Sequence, residues 1–227
     1  MKKIISERYN KIVAVSVFYI IAVLLRYVFT EKVPEYFPTI SDGLLFRILT
    51  GVGPFVGAII ALYLFGRKKK YSNFGTSVLK SVSCSLYPII GFFLFDLFHD
   101  LTFFSTKIVI SCLVYAYFEE YGWRGYLQSE LINMRKIYRI LLIAMLWFVW
   151  HLNFELSVGN IVFFAILLLG SWGIGQIAIK SHSIIACACF HSVINIMQNI
   201  HLTMGVYVLL ATSVAFWFFV WYKVGRC

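Results

Sequence analysis

Glu119, Glu120 and Arg124 lie within six residues of one another in the stretch Cys112–Gln128, CLVYAYFEEYGWRGYLQ, whose flanks are strongly apolar. A charge at the centre of a membrane helix costs roughly 2.5–3.5 kcal/mol on an insertion scale, so three together mark a site. Glu120 and Arg124 are four apart and can pair on one helical face. One guanidinium balances one carboxylate, which leaves Glu119 without a counter-charge and available as a base. Two further polar groups stand in apolar runs. His151 ends Trp147-Phe148-Val149-Trp150-His151, and His191 and Asn195 are spaced by one helical turn. Two donors held that way can cradle one developing negative charge. At about 1.5 Å per residue, Glu119 and His191 lie roughly 12–14 Å from the cytoplasmic end of their spans, and His151 and Asn195 roughly 18 Å. Each group alone also fits ordinary helix packing; their common depth, in a slab offset toward the cytoplasm, argues against that.

A carboxylate, an imidazole and a donor pair suit the activation of water. Glu119 takes the proton, His151 helps to hold the water, and His191 and Asn195 stabilise the oxyanion. Cys189 and Ser192 are near His191 but not one turn from it, so a nucleophile–base pair is not signalled. No HExxH motif is present to signal a zincin.

The elements that must position these groups are membrane helices. The 227 residues are 61% hydrophobic and 13% charged, about half the charge of a soluble domain. Eight segments approach the roughly 20 apolar residues of a span: 11–29, 44–65, 82–98, 107–127, 139–155, 160–179, 183–200 and 204–222. Pro88, Gly91 and Asp96 make the third the weakest. The fold expected is all-α, a single polytopic membrane domain over 1–227 with about eight transmembrane helices and an intramembrane active site. The first run is too long for a signal-peptide core and is expected to stay as a span.

The net charge of +10 reflects topology rather than a nucleic-acid partner. With the N-terminus in the cytoplasm, fifteen basic residues fall on that side, among them Lys2, Lys3, Arg8, Arg67–Lys70, Lys223 and Arg226. Two, Lys32 and Lys107, fall opposite, with Glu31, Glu35, Asp42, Asp100 and Glu155. Both termini are then cytoplasmic. Arg26 and Arg47 are expected to snorkel from span ends, and Tyr36, Phe37, Trp217 and Trp221 to anchor in lipid interfaces. Asp96, His99 and Asp100 read as a solvated rim. Cys84, Cys112, Cys187, Cys189 and Cys227 read as packing residues, and Gly225-Arg226-Cys227 lacks the residues of a prenylation box.

At its polar motifs the chain resembles the CPBP family, the CAAX-protease and bacteriocin-processing (Abi) intramembrane proteases. EExxxR is matched by Glu119, Glu120 and Arg124, and HxxxN by His191 and Asn195. FxxxH is matched at His151, with Trp147 in place of phenylalanine. The motifs keep the family's order within a catalytic core of about 105–200. The resemblance implies that Glu119 and His151 activate water, that His191 and Asn195 form the oxyanion site, and that Glu120 and Arg124 position the first motif. It also implies a pocket inside the bilayer. The family has been called metalloprotease; zinc would use His151, His191 and a carboxylate, but the metal-free glutamate reading is favoured and no cofactor is expected.

The function expected is endopeptidase cleavage of a membrane-associated peptide or protein in a bacterial cell membrane. A non-catalytic bacteriocin-immunity or binding protein of the same fold is the alternative. A transporter is third, and the chain has no repeated pair of interrupted helices to support it.

Overall fold

Apolar runs punctuated by Gly, Pro and basic clusters fold, in a computed structural model, into helices joined by short loops. The structure describes residues 2–41, 43–99 and 101–222, with side chains for 10–39, 43–99 and 101–222. The side chains of Lys2, Lys3 and Arg8, together with Asp42, Asp100, Lys223, Gly225, Arg226 and Cys227, lie outside the described residues. The helices are α1 (Lys2–Tyr27), α2 (Val33–Tyr36), α3 (Pro38–Ser41), α4 (Leu44–Thr50), α5 (Val52–Leu64) and α6 (Val78–Phe98). There follow α7 (Phe104–Glu120), α8 (Lys136–Trp150), α9 (Val158–Ser181), α10 (Ile184–Asn199) and α11 (Met204–Tyr222). Wider, π-type turns continue α1 over Val28–Lys32 and α7 over Tyr121–Gln128.

All eight apolar segments are thus helical, but they differ in length. Four stretches are long and apolar enough to cross a membrane: Asn10–Tyr36, Val78–Phe98, Val158–Ser181 and Met204–Tyr222. The pair α4 and α5, bent by 46°, makes a fifth when taken as one span. Pro88 lies inside an unbroken α6, so the third segment is stronger than its composition suggests. The 15 residues of α8 and 16 of α10 give about 22–24 Å of helix, short of the roughly 30 Å hydrocarbon core.

Helix starts follow from capping side chains. Ser77, Ser157 and Ser183 each accept from the backbone N–H three residues on. Asp96 is buried rather than part of a solvated rim: its carboxylate accepts from the N–H groups of Ser105 and Thr106 and from the Thr106 hydroxyl. Reaching across from α6, this carboxylate satisfies orphan donors at the start of α7 and complements its dipole. His99 stays exposed and stacks on Phe95.

Successive spans run antiparallel. Loop 66–77 meets the turn between α9 and α10 through the Ser72–Ser183 bridge. It meets the loop after Gln128 through Lys70 N–H to Ser129 Oγ (3.1 Å) and Arg67 to Glu130 (3.9 Å). Lys180 lies over the ring of Tyr222, so α11 ends there too. The basic loops therefore gather at one end of the bundle. Trp217 is buried and donates to the Ala186 carbonyl (3.2 Å); it packs between helices rather than anchoring in lipid. Tyr36 and Phe37 are exposed, as an interface belt requires.

Two glycines set close approaches. A Cβ on Gly53 would sit 2.5 Å from the Ala22 carbonyl oxygen, and one on Gly122 would sit 2.4 Å from Pro54 Cβ. Small residues let backbones touch where lipid supplies no hydrophobic drive. Gly122→Ala is expected to destabilise the protein by about 1–3 kcal/mol through overpacking, read as a lower midpoint of thermal unfolding in detergent. Gly173→Ala, where a Cβ meets nothing within 4 Å, is the control and is expected to leave the midpoint unchanged or raised.

Candidate active site

The widened turn after Glu120 places the whole of the first motif indoors. Glu119, Glu120, Trp123, Arg124, Leu127 and Gln128 are all at most 2% exposed. Glu120 is held from two sides. Its Oε2 lies 3.2 Å from Arg124 Nε, at ion-pair distance but without hydrogen-bond alignment, and its Oε1 meets His191 Nδ1 at 2.8 Å. The i,i+4 pairing expected from sequence is present. Arg124 also donates to the Gly170 carbonyl (3.3 Å) and lies 4.9 Å from the centre of the Trp147 ring.

Glu119 faces elsewhere. Its Oε2 accepts from the indole N–H groups of Trp147 (2.7 Å) and Trp123 (3.3 Å). Neither contact was read from the sequence. The signal for one was there: Trp147 stands where the resembled motif has phenylalanine, and only the indole has a donor to give. Trp147 also meets the other polar groups. Its backbone carbonyl accepts from His151 Nδ1 (2.8 Å), and its ring lies edge-to-face with His191 at 5.2 Å. A carbonyl only accepts, so His151 carries its proton on Nδ1 and presents Nε2 as an acceptor. His191, with Nδ1–H given to Glu120, donates from Nε2 only in its doubly protonated form.

Glu119, His151, His191 and Asn195 line one cavity of about 450 Å³. It lies between α7, α8, α9 and α10, and Arg26 of α1 and Arg47 of α4 also line it. The Asn195 Nδ2 amide is buried without a hydrogen-bond partner, a donor held ready at the cavity wall. Arg26 points into the bundle, whereas Arg47 stays exposed. Arg26 reaches the Thr50 carbonyl (3.0 Å) and Tyr115 hydroxyl (3.4 Å) and lies over Trp150, while Arg47 donates to Asn199 Oδ1. The sequence hid these contacts because they join α1 to α4 and α7, and α4 to α10, across the fold.

His151 caps the C-terminus of α8, at the end away from Lys136, and Leu152 in the left-handed region (φ 59°) turns the chain there. Among the described residues no three His, Cys, Asp or Glu side chains converge as a ligand set for zinc. Cys84, Cys112, Cys187 and Cys189 are buried free thiols.

Residues 101–197 match the family described as Rce1-like, type II CAAX prenyl endopeptidase. No curated protein and no solved structure matches the chain. The matched segment holds all four residues that line the cavity with catalytic chemistry to offer, together with Glu120 and Arg124. Over those residues, somewhat under half of the chain, it is similar to the CAAX prenyl endopeptidases.

Proposed function

We propose that the protein is an intramembrane endopeptidase that hydrolyses a peptide bond of a membrane-associated peptide or protein with a water activated by Glu119. One observation carries the reading: Glu119, His151, His191 and Asn195, from three helices, line a single cavity. The chain crosses the bilayer eight times, with the short α8 and α10 ending inside the protein rather than in lipid, where an irregular backbone lines a cavity. The basic loops face the cytoplasm, as do both termini.

In this mechanism a water sits between the Glu119 carboxylate and His151 Nε2. As its oxygen attacks the carbonyl carbon, Glu119 takes the proton. The carbonyl oxygen becomes an oxyanion and accepts from Asn195 Nδ2 and from protonated His191 Nε2. The tetrahedral species collapses as the C–N bond breaks, and Glu119 returns the proton to the leaving amine. Trp147 and Trp123 fix the carboxylate, so little reorganisation remains at the moment of reaction. Glu120 is the counter-charge of Arg124, accepts from His191 Nδ1 and takes no proton from water. No metal takes part.

Membrane peptidomes of cells expressing the wild type and Glu119→Gln test the proposal. Cleavage products present with the wild type are expected to fall by about 10²–10⁴ with the glutamine, the usual worth of acid–base catalysis. Products unchanged in abundance would remove Glu119 as the base. Once a product identifies a substrate, Asn195→Ala is expected to lower kcat by about 10²–10³, as for an oxyanion donor. Trp147→Phe keeps the ring and removes one hydrogen bond to a charged group, worth about 1.5–3 kcal/mol, and is expected to lower kcat by about tenfold or more with KM little changed.

A further inference from the structure

We infer that the pocket takes its substrate from the extracytoplasmic face, so that the peptide it cleaves is an exported one or an outward-facing segment of a membrane protein. The inference rests on the peptidase reading for what enters, and on the geometry of the cavity for the side of access.

The register of the helices fixes which end of the cavity is closed. Its deepest lining residues, Glu119, His191 and Ile174, are 7% exposed or less. Between them and the basic loops lies a packed floor. Leu127, Ile184 and Cys187 are fully buried there, and Gln128 ties the Gly175 carbonyl to the Tyr71 hydroxyl (3.1 and 3.3 Å). Tyr71 belongs to the basic loop itself. No path through this floor leads to the side that carries Arg67–Lys70.

The other end is open. Along α10 the lining runs from His191 through Asn195 to Gln198 and Asn199, which takes it from about 12 to about 24 Å from Ser183 at the basic end. Gln198 and Arg47 are exposed, and Asn199 pairs with Arg47 at the mouth. On the side, Ile166 of α9 and Ile194 of α10 are 39% and 38% exposed and give the cavity an apolar edge toward lipid. The opening is thus polar at the end of the bundle and greasy along its flank, which suits a peptide tethered in the outer leaflet.

Charge decides which end is outside. The closed end carries Arg67–Lys70, Lys80, Arg135, Lys136, Arg139 and Lys180 in short loops or beside them, and the open end carries Lys32 and Lys107 with Glu31, Glu35 and Glu155. Basic residues in short loops stay in the cytoplasm. Arg26 and Arg47 do not offset this, because both line the cavity.

Single cysteines test the claim in intact cells. Gln198→Cys and Lys68→Cys are each made with Cys227→Ser, the four described native thiols being buried, and treated with a membrane-impermeant maleimide. Gln198→Cys is expected to be labelled at least tenfold more from outside than Lys68→Cys, and Lys68→Cys to react only in inside-out vesicles. Labelling of Gln198→Cys only from the cytoplasmic side would overturn the inference. If Lys68→Cys reacts from outside, the orientation is wrong and the inference falls with it. Adding Glu119→Gln to both variants is expected to leave the pattern unchanged, so loss of peptidase activity and loss of sidedness are read separately.

Discussion

The structure depends on a carboxylate with no exposure at all. Glu120 is buried between Arg124 and His191, three groups that would each be costly alone in a hydrocarbon interior. Together they balance, and the balance dictates arrangement. Arg124 must stay on the widened turn below Glu120, and α10 must present His191 to the same face of α7. Removing one partner of a buried pair typically costs about 3–5 kcal/mol, because it strands the other. The site is thus tied to the packing of the bundle, and the second carboxylate of the motif serves the first.

Glu119 has a different set of partners: its carboxylate accepts from neutral donors, the indoles of Trp147 and Trp123. Trp147 reaches Glu119 with its N–H, His151 with its carbonyl, and His191 and Arg124 with its ring. One side chain thereby sets the relative positions of groups from α7, α8 and α10. A site built around a large rigid ring on a helix holds its geometry better than one built on a loop.

Much of this was legible in the sequence, for identifiable reasons. Unbroken apolar runs can only be helices in lipid, and all eight are helical. The spacing of Glu120 and Arg124 announced their pairing, and the clustering of lysine and arginine marked the loops that meet at one end. Other features turned on tertiary contact. Asp96 looked like a surface acid because its partners, Ser105 and Thr106, sit across a turn. Trp217 looked like an interface anchor because nothing local shows that Ala186 of α10 lies beside it. Arg26 and Arg47 looked like span-end cations because their partners, Thr50, Tyr115 and Asn199, are distant in sequence. That α8 stops at Trp150 was not read, because a helix end inside a protein leaves no mark in hydropathy.

A double-mutant cycle on Glu120 and Arg124 tests the buried charge balance most directly, with unfolding measured in detergent for Glu120→Gln, Arg124→Gln and the pair. Each single variant is expected to lose about 3–5 kcal/mol. The double variant is expected to lose clearly less than the sum, because no charge of the pair is left stranded. Strictly additive losses would contradict the account, since the two side chains would then act independently and Glu120 would not be the counter-charge around which the pocket is assembled.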